Sequence, residues 1–272
     1  RRSSALEAYA NYNETWGIHN LDVMAGYSWQ HFYGSNRTVS YFNVTDELKL
    51  NEGETADKRY PTWKWESYLV SFYGRINYSL DSRYVFTFTA RADGSSKFAR
   101  SYRWGFFPSG SVAWRLSKEP WMENVDCIDD LKIRGSIALL GNDNASAYMF
   151  LTSYGKYDYP VIYGGYGQGT TTNHAYKDLG MANQTLTWEK SLSYNIGYDL
   201  SMWNEKLGME VDVFYNYVYD MLSSQGSGFP SSMGGYYPAV INKNSYDTKG
   251  VDILVSHKNV FYAGGKPFYY GI

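Results

Sequence analysis

The feature that most constrains this chain is a two-residue alternation of apolar and polar side chains, sustained over runs of ten residues and more. In 83–91, Tyr84, Phe86, Phe88 and Ala90 fall on one face of an extended strand. Arg83, Val85, Thr87, Thr89 and Arg91 fall on the other. The same period places Leu192, Tyr194, Ile196, Tyr198 and Leu200 opposite Ser193, Asn195, Gly197 and Asp199. It also sets Leu207, Met209, Val211, Val213, Tyr215 and Tyr217 against Gly208, Glu210, Asp212, Phe214 and Asn216. Segments 21–30 and 131–139 repeat it. Helical periodicity is nearly absent, and one short helical turn is expected within Glu119–Val125. The predicted strands are 4–14, 18–30, 67–80, 83–92, 104–116, 130–140, 186–201, 205–221, 247–258 and 266–272. Strands of soluble proteins average about five or six residues, whereas a tilted strand needs about ten to cross a bilayer.

The connections point the same way. Taken in order they run short (15–17), long (31–66), short (81–82), medium (93–103), moderate (117–129), long (141–185), short (202–204), long (222–246) and short (259–265). Membrane barrels carry tight turns at one end and long loops at the other. Only 117–129 strains that sorting. The fold expected is all-β: an antiparallel transmembrane β-barrel segment of about ten strands. Tyr84, Phe86, Phe88, Leu192, Tyr194, Ile196, Val211 and Val213 should face lipid. Arg83, Arg91, Asn195, Asp199, Glu210 and Asp212 should face the interior.

Composition excludes several function classes. The net charge of -2 gives no footprint for nucleic acid. Cys127 is the only cysteine and the four histidines are scattered, so neither a disulfide nor a metal site is expected, and no cofactor. No run of about 18 apolar residues marks a transmembrane helix. The mean hydropathy of -0.47 carries little weight, because alternation cancels in the average. No apolar stretch follows Arg1-Arg2-Ser3-Ser4, so a signal peptide is expected to be absent from this chain. Enzymatic chemistry is not expected. The carboxylates are spread along strands rather than paired for glycoside hydrolysis, and Gly110-Ser111 lacks the rest of a nucleophile elbow.

Aromatics make up 19% of the chain, with 29 tyrosines, and Tyr suits boundaries between apolar and wet surroundings. In the long loops Tyr157, Tyr159, Tyr163, Tyr166, Tyr236 and Tyr237 stand among glycines. They are candidates for stacking on a sugar or peptide; packing on one another to roof the barrel is the competing reading.

Residues 91–98 read Arg-Ala-Asp-Gly-Ser-Ser-Lys-Phe, followed by Trp104, Gly105, Phe106, Phe107, Pro108 and Ser109. Leu131-Lys132-Ile133-Arg134-Gly135-Ser136, Gly141-Asn142, Leu186-Thr187-Trp188-Glu189-Lys190 and Asn195-Ile196-Gly197-Tyr198-Asp199 come next. Val213-Phe214-Tyr215-Asn216, Asp220-Met221-Leu222, Asn242 and Lys249-Gly250-Val251-Asp252 complete the series. In this order and spacing the set resembles the barrel of the SusC/RagA family of TonB-dependent outer-membrane transporters of Bacteroidota. The resemblance spans about 67–257.

It implies a partial barrel over 1–272, cut from a 22-stranded one, with the N-terminal sandwich-like domain, the plug and the last strands absent. It also implies import of a glycan or peptide, with a SusD-like surface lipoprotein as partner, TonB engaged through the missing plug region, and outer-membrane lipid around the wall. Alternatives are a siderophore- or cobalamin-type receptor of the same wider class, or a soluble aromatic-rich carbohydrate-binding β-sandwich. The motif residues Arg91, Asp93, Gly94, Ser95, Ser96, Phe98, Trp104, Phe107, Pro108, Trp188, Glu189, Asn195, Gly197 and Asp199 are expected to serve architecture. Asp93-Gly94-Ser95-Ser96 should form a turn, and Arg91 and Asp93, charged on the mostly polar face, should pair with neighbouring strands. Trp104 and Trp188 should join an aromatic girdle.

Overall fold

The structure, a computed structural model, describes residues 1–37, 62–152, 154–156, 161–163, 171–173, 176–178, 181–224, 230, 232, 237–263 and 266–272. Ten strands form one antiparallel sheet. They are β1 (Arg2–Trp16), β2 (His19–Arg37), β3 (Thr62–Leu80), β4 (Tyr84–Ser95) and β5 (Trp104–Arg115), then β6 (Ile128–Asn142), β7 (Glu189–Met202), β8 (Leu207–Tyr219), β9 (Tyr246–Ala263) and β10 (Lys266–Gly271). Each pairs with its neighbours in sequence, in an up-and-down order with no crossover, so β1 and β10 are the sheet's edges. All ten strands lie in this single sheet, which removes the two-layered sandwich alternative.

The register decides which residues share a face, because directly opposed residues of antiparallel strands point the same way. Phe86 is opposed by Tyr78 and Val112, Phe88 by Ile76 and Gly110, Ile137 by Gly110 and Tyr194, and Ile196 by Gly135 and Val213. The apolar set expected to face lipid therefore occupies one continuous face. Arg91, Asn195, Asp199, Glu210 and Asp212 occupy the other. Arg83 belongs to neither, since it sits in the turn between β3 and β4.

Aromatic pairs bracket the apolar face. Trp104 stacks with Phe72 near one end, and Trp114 stacks with Tyr84 near the other. Ten residues of β5 separate the two tryptophans, about 33 Å at 3.3 Å per residue. A tilt of roughly 40° reduces that to about 25 Å, the height of the apolar band of a membrane barrel.

Several strands run past their expected ends. β2 and β3 have 19 residues each, about 60 Å, twice what a bilayer needs, so this hairpin continues beyond the band. Residues 31–37 and 62–66, expected in a loop, are paired strand. Asp93, Gly94 and Ser95 likewise belong to β4, and the turn starts only at Ser96. The extension is held by Ser95 N–H donating to the Arg103 carbonyl (3.1 Å). Short ribbons lie within the remaining long connections, such as Leu222–Ser224 against Val240–Asn242.

At the opposite end the connections are tight. Gly17 takes the left-handed φ of 60° that closes β1 onto β2, and Asp81 and Ser82 do the same for β3 and β4. Trp203, Asn204 and Glu205 are left-handed in succession. The Asp129 carboxylate holds that turn by accepting from the Asn204 and Glu205 N–H groups (3.0 and 2.8 Å). The moderate connection before β6 contains two 3₁₀ turns, Leu116–Lys118 and Pro120–Met122, in place of one turn over Glu119–Val125.

Candidate functional site

The polar face is a lattice of ion pairs that crosses strands. Lys132 on β6 reaches Asp199 on β7 (2.5 Å). Arg134, two residues on, reaches Asp199 (3.0 Å) and continues to Asp212 on β8 (2.6 Å). Gly197 lies beneath this crossing: a Cβ there would sit 2.6 Å from Asp212 Oδ1 and 3.2 Å from Arg134 Cζ. Lys132, Arg134, Gly197 and Asp199 thus act together, and the two sequence motifs that contain them are two sides of one bridge. On β4 Arg91 and Asp93 pair with each other rather than with charges on neighbouring strands: the Arg91 Nε donates to both Asp93 oxygens (2.7 and 2.9 Å), while its Nη2 donates to Ser71 Oγ on β3 (2.9 Å) and its guanidinium lies over Tyr73. Asn195 is opposed by Ser136 and Phe214 on the same face. Such a face needs water or polar partners, and the apolar face needs neither.

At the long-loop end a small core forms where none was expected. Phe98 and Leu186 are fully buried, and Trp188, Phe107 and Ala145 are nearly so. Trp188 packs on Phe98 (5.5 Å between ring centres) and edge-on to Phe107 (5.2 Å), and its indole N–H donates to the Arg103 carbonyl (2.9 Å). The Phe107 ring lies against Gly105 and Gly141, where no Cβ would fit. Trp188 is therefore not a girdle residue. It precedes β7 and turns into the loop core, because its N–H finds a carbonyl there and its ring finds two others. Trp104 is 54% exposed on the apolar face, as a girdle residue is.

The remaining motif residues tie the loops to the strand ends. Glu189 accepts from Asn142 Nδ2 (3.0 Å) and from the Leu222 N–H (3.1 Å), joining the end of β6, the start of β7 and the connection after β8. Asn242 donates to the Thr187 and Asp220 carbonyls, each at 2.8 Å. Ser95 Oγ donates to Asp143 Oδ2 (2.7 Å), and Ser96 Oγ accepts from the Tyr68 N–H (2.8 Å). Gly94 receives the Trp104 ring, and Pro108 is opposed by Ala90.

A cavity of about 270 Å³ opens beside this core. Phe32, Trp65, Ser67 and Leu69 line it from the polar face of β2 and β3, Tyr68 borders it between Ser67 and Leu69, and Lys97 and Asp143 close one side. The sequence alone does not reveal it: Trp65 falls in an expected loop, Lys97 stands in a motif expected to serve architecture, and Asp143 stands out only once the fold brings it to Lys97.

At the tight-turn end Glu119 is buried at 7% exposure, accepting from the Tyr84 hydroxyl (2.7 Å), the Trp114 indole N–H (2.8 Å) and Arg83 Nη1 (3.3 Å). The Tyr84 and Trp114 hydrogen bonds, with Arg83 added, hold its carboxyl below the usual carboxylate range. A depressed folded-state pKa means the contribution to stability is complete above the unfolded pKa of about 4.3 and is lost as pH falls through the folded value. Acid titration of Trp fluorescence should show wild type losing stability below that pH, with Glu119→Gln less stable at neutral pH and its acid limb flatter. Parallel limbs would assign the acid response to other carboxylates.

Of the loop aromatics proposed to contact substrate, Tyr157, Tyr159, Tyr166 and Tyr236 lie outside the described residues. Tyr163 ends the ribbon strand Val161–Tyr163, and Tyr237 is half-buried next to the Met181–Pro238 bridge. Cys127 is exposed, and its carbonyl accepts from Trp203 N–H at the tight-turn end. No group of acidic, histidine or cysteine side chains able to hold a metal occurs among the described residues.

The profile of the family described as TonB dependent receptor-like, beta-barrel, matches residues 2–270. The chain belongs to that family. As TonB-dependent receptor barrels do, it resides in the outer membrane, with its apolar face toward lipid. TonB-dependent receptor P3 of Formosa agariphila is 34% identical over 196 residues, 71% of this chain and 19% of that protein. TonB-dependent receptor SusC of Bacteroides thetaiotaomicron is 34% identical over 203 residues, 70% of this chain and 18% of that protein. The chain thus spans about a fifth of the length of these TonB-dependent receptors. Among solved structures, the RagAB peptide transporter superposes with a TM-score of 0.77 at 22% identity, over 99% of this chain and 30% of that one. The siderophore receptor PirA of Pseudomonas aeruginosa gives 0.54 at 14% identity, over 99% of this chain and 42% of that one. The relatives and neighbours together are consistent with the SusC/RagA branch of the TonB-dependent receptors.

Proposed function

We propose that this barrel wall serves TonB-dependent uptake of a nutrient, an oligosaccharide or a peptide, handed over by a SusD-like surface lipoprotein. The observation that carries it is the division of the sheet into a lipid face bracketed by aromatics and a charged face stapled by Arg134, crowned by loops with a core of their own. The wall binds and passes its cargo and makes or breaks no bond; the energy arrives through TonB and the plug. The greater similarity to RagAB than to PirA favours this reading over a siderophore receptor. The loop tyrosines Tyr157, Tyr159, Tyr163, Tyr166, Tyr236 and Tyr237 are proposed to line the mouth, with the motif residues as its supporting frame.

Two experiments test this. Growth on the candidate nutrient should require both the full-length transporter and TonB, and growth that persists without TonB would refute it. Single cysteines at Ser35, Gly164 or Gly228 should react with a membrane-impermeant thiol reagent in intact cells, while Ser82→Cys and native Cys127 stay silent. The reverse pattern would invert the topology.

A further inference from the structure

We infer that the cavity lined by Phe32, Trp65, Lys97 and Asp143 is a subsite for one neutral sugar ring of the transported oligomer. The inference rests on the uptake reading above and narrows it to a residue set and a ligand chemistry.

The geometry of Trp65 comes first. Its indole is laid across β2 at Gly34, so closely that a Cβ at position 34 would run into the ring. A glycine in a strand interior is unfavourable relative to alanine. Here it lets a broad flat ring lie along the wall, with the rest of the ring bordering the cavity. Phe32, opposed to Ser67 on the same face, supplies a second ring. Neither ring belongs to the buried loop core, and Phe32 is 36% exposed.

The polar side is small and internally neutral. Lys97 Nζ donates to the Asp143 carbonyl (2.9 Å) and lies 3.4 Å from Asp143 Oδ1, while Ser95 donates to Oδ2. An ammonium has three hydrogens and a carboxylate about four acceptor sites, so one donor and several lone pairs remain. A hydroxyl can accept from that donor and give its own hydrogen to the carboxylate at the same time. The paired charges leave no net charge to draw an anionic group, and an added cation would compete with Lys97.

An apolar flat wall with one neutral donor–acceptor edge matches a pyranose, which has an apolar ring face and a hydroxyl rim. A peptide instead presents donors and acceptors along its whole length. Drug-sized ligands occupy pockets from about 300 Å³ upward, so this cavity has room for a single ring. It also lies on the interior face at the loop end, on the path a cargo takes from mouth to lumen.

The test uses the purified full-length transporter against an array of neutral oligosaccharides, acidic oligosaccharides and tripeptides. Wild type should retain at least one neutral oligosaccharide. Trp65→Ala should weaken it at least tenfold, and Trp65→Phe, which keeps a flat ring, should weaken it less. If the alanine variant does not assemble, Lys97→Met takes its place, with a loss of at least threefold expected. Retention of acidic oligosaccharides or tripeptides alone, or unchanged affinity in the variants, would overturn the subsite. TonB-dependent growth that survives while the variants bind normally would sink this inference and leave the uptake reading standing. Loss of TonB dependence would sink the uptake reading itself.

Discussion

Arginine at position 137 should destabilise the folded barrel by about 2–4 kcal/mol, while arginine at the adjacent position 136 should change stability by less than about 1 kcal/mol. Ile137 is 47% exposed on the apolar face and is opposed by Gly110 and Tyr194. Gly110 lies four residues from Trp114 and six from Trp104 along β5, so Ile137 sits near mid-height of the band, where a charge is farthest from water. Ser136 is opposed by Ser111 and Asn195 on the interior face, where an arginine reaches solvent and polar neighbours. Denaturant unfolding of the full-length transporter in vesicles is the measurement. Equal losses at the two positions would mean that the apolar face is not the lipid face.

Removing the Trp188 ring should cost about 3–5 kcal/mol where loop and barrel meet, the range for truncating a large buried aromatic. Trp188 fills the space between Phe98 and Phe107 and gives the Arg103 carbonyl one of its two hydrogen bonds, so alanine leaves a void and takes away that bond, with Ser95 N–H remaining as the carbonyl's donor. The damage should stay local, because the strand ladders do not depend on this ring. Limited proteolysis of Trp188→Ala in intact outer membranes should cut within 143–188 faster than in wild type, with the heat-modifiable band of the barrel retained. A girdle tryptophan would give the opposite result, shifting membrane anchoring with no new cleavage. Phe98→Ala should reproduce the loop cleavage.

The strands were legible because alternation is a property of each segment alone, and a residue's face follows from its parity once pairing is antiparallel. Their ends were less so. Residues 31–37 and 62–66 look irregular when each is read alone, yet they pair with each other residue by residue, so the hairpin exists only as a pair. Asp93-Gly94-Ser95 carries turn chemistry, and the neighbouring Arg103 carbonyl overrides it. Trp188 shows the limit from another side. Its position at a strand start gives no sign of whether the ring turns to lipid or to loop, since Phe98, Phe107 and Ala145 that receive it are distant in sequence. The cavity at Trp65 was hidden for the same reason: Gly34, Lys97 and Asp143 come from three separate connections.

The bridge at Arg134 bears on how such a wall finds its pairing in the first place. A slip of one residue between strands turns every apolar side chain to the wrong face, so hydrophobic sorting rejects it. A slip of two residues restores the pattern, and sorting by polarity is blind to it. Arg134 is not blind, because it meets Asp199 and Asp212 on two successive strands at once, over the one position, Gly197, that has no side chain in the way. Moving β7 by two residues against β6 sets Arg134 opposite Asp199 or Asn195 rather than Gly197, and the straight reach to β8 is obstructed. Loss of the triad, as in Arg134→Ala, should therefore appear as mispaired or slowly assembling barrels, read by heat-modifiable mobility over the course of assembly, before it appears as any defect in the finished one.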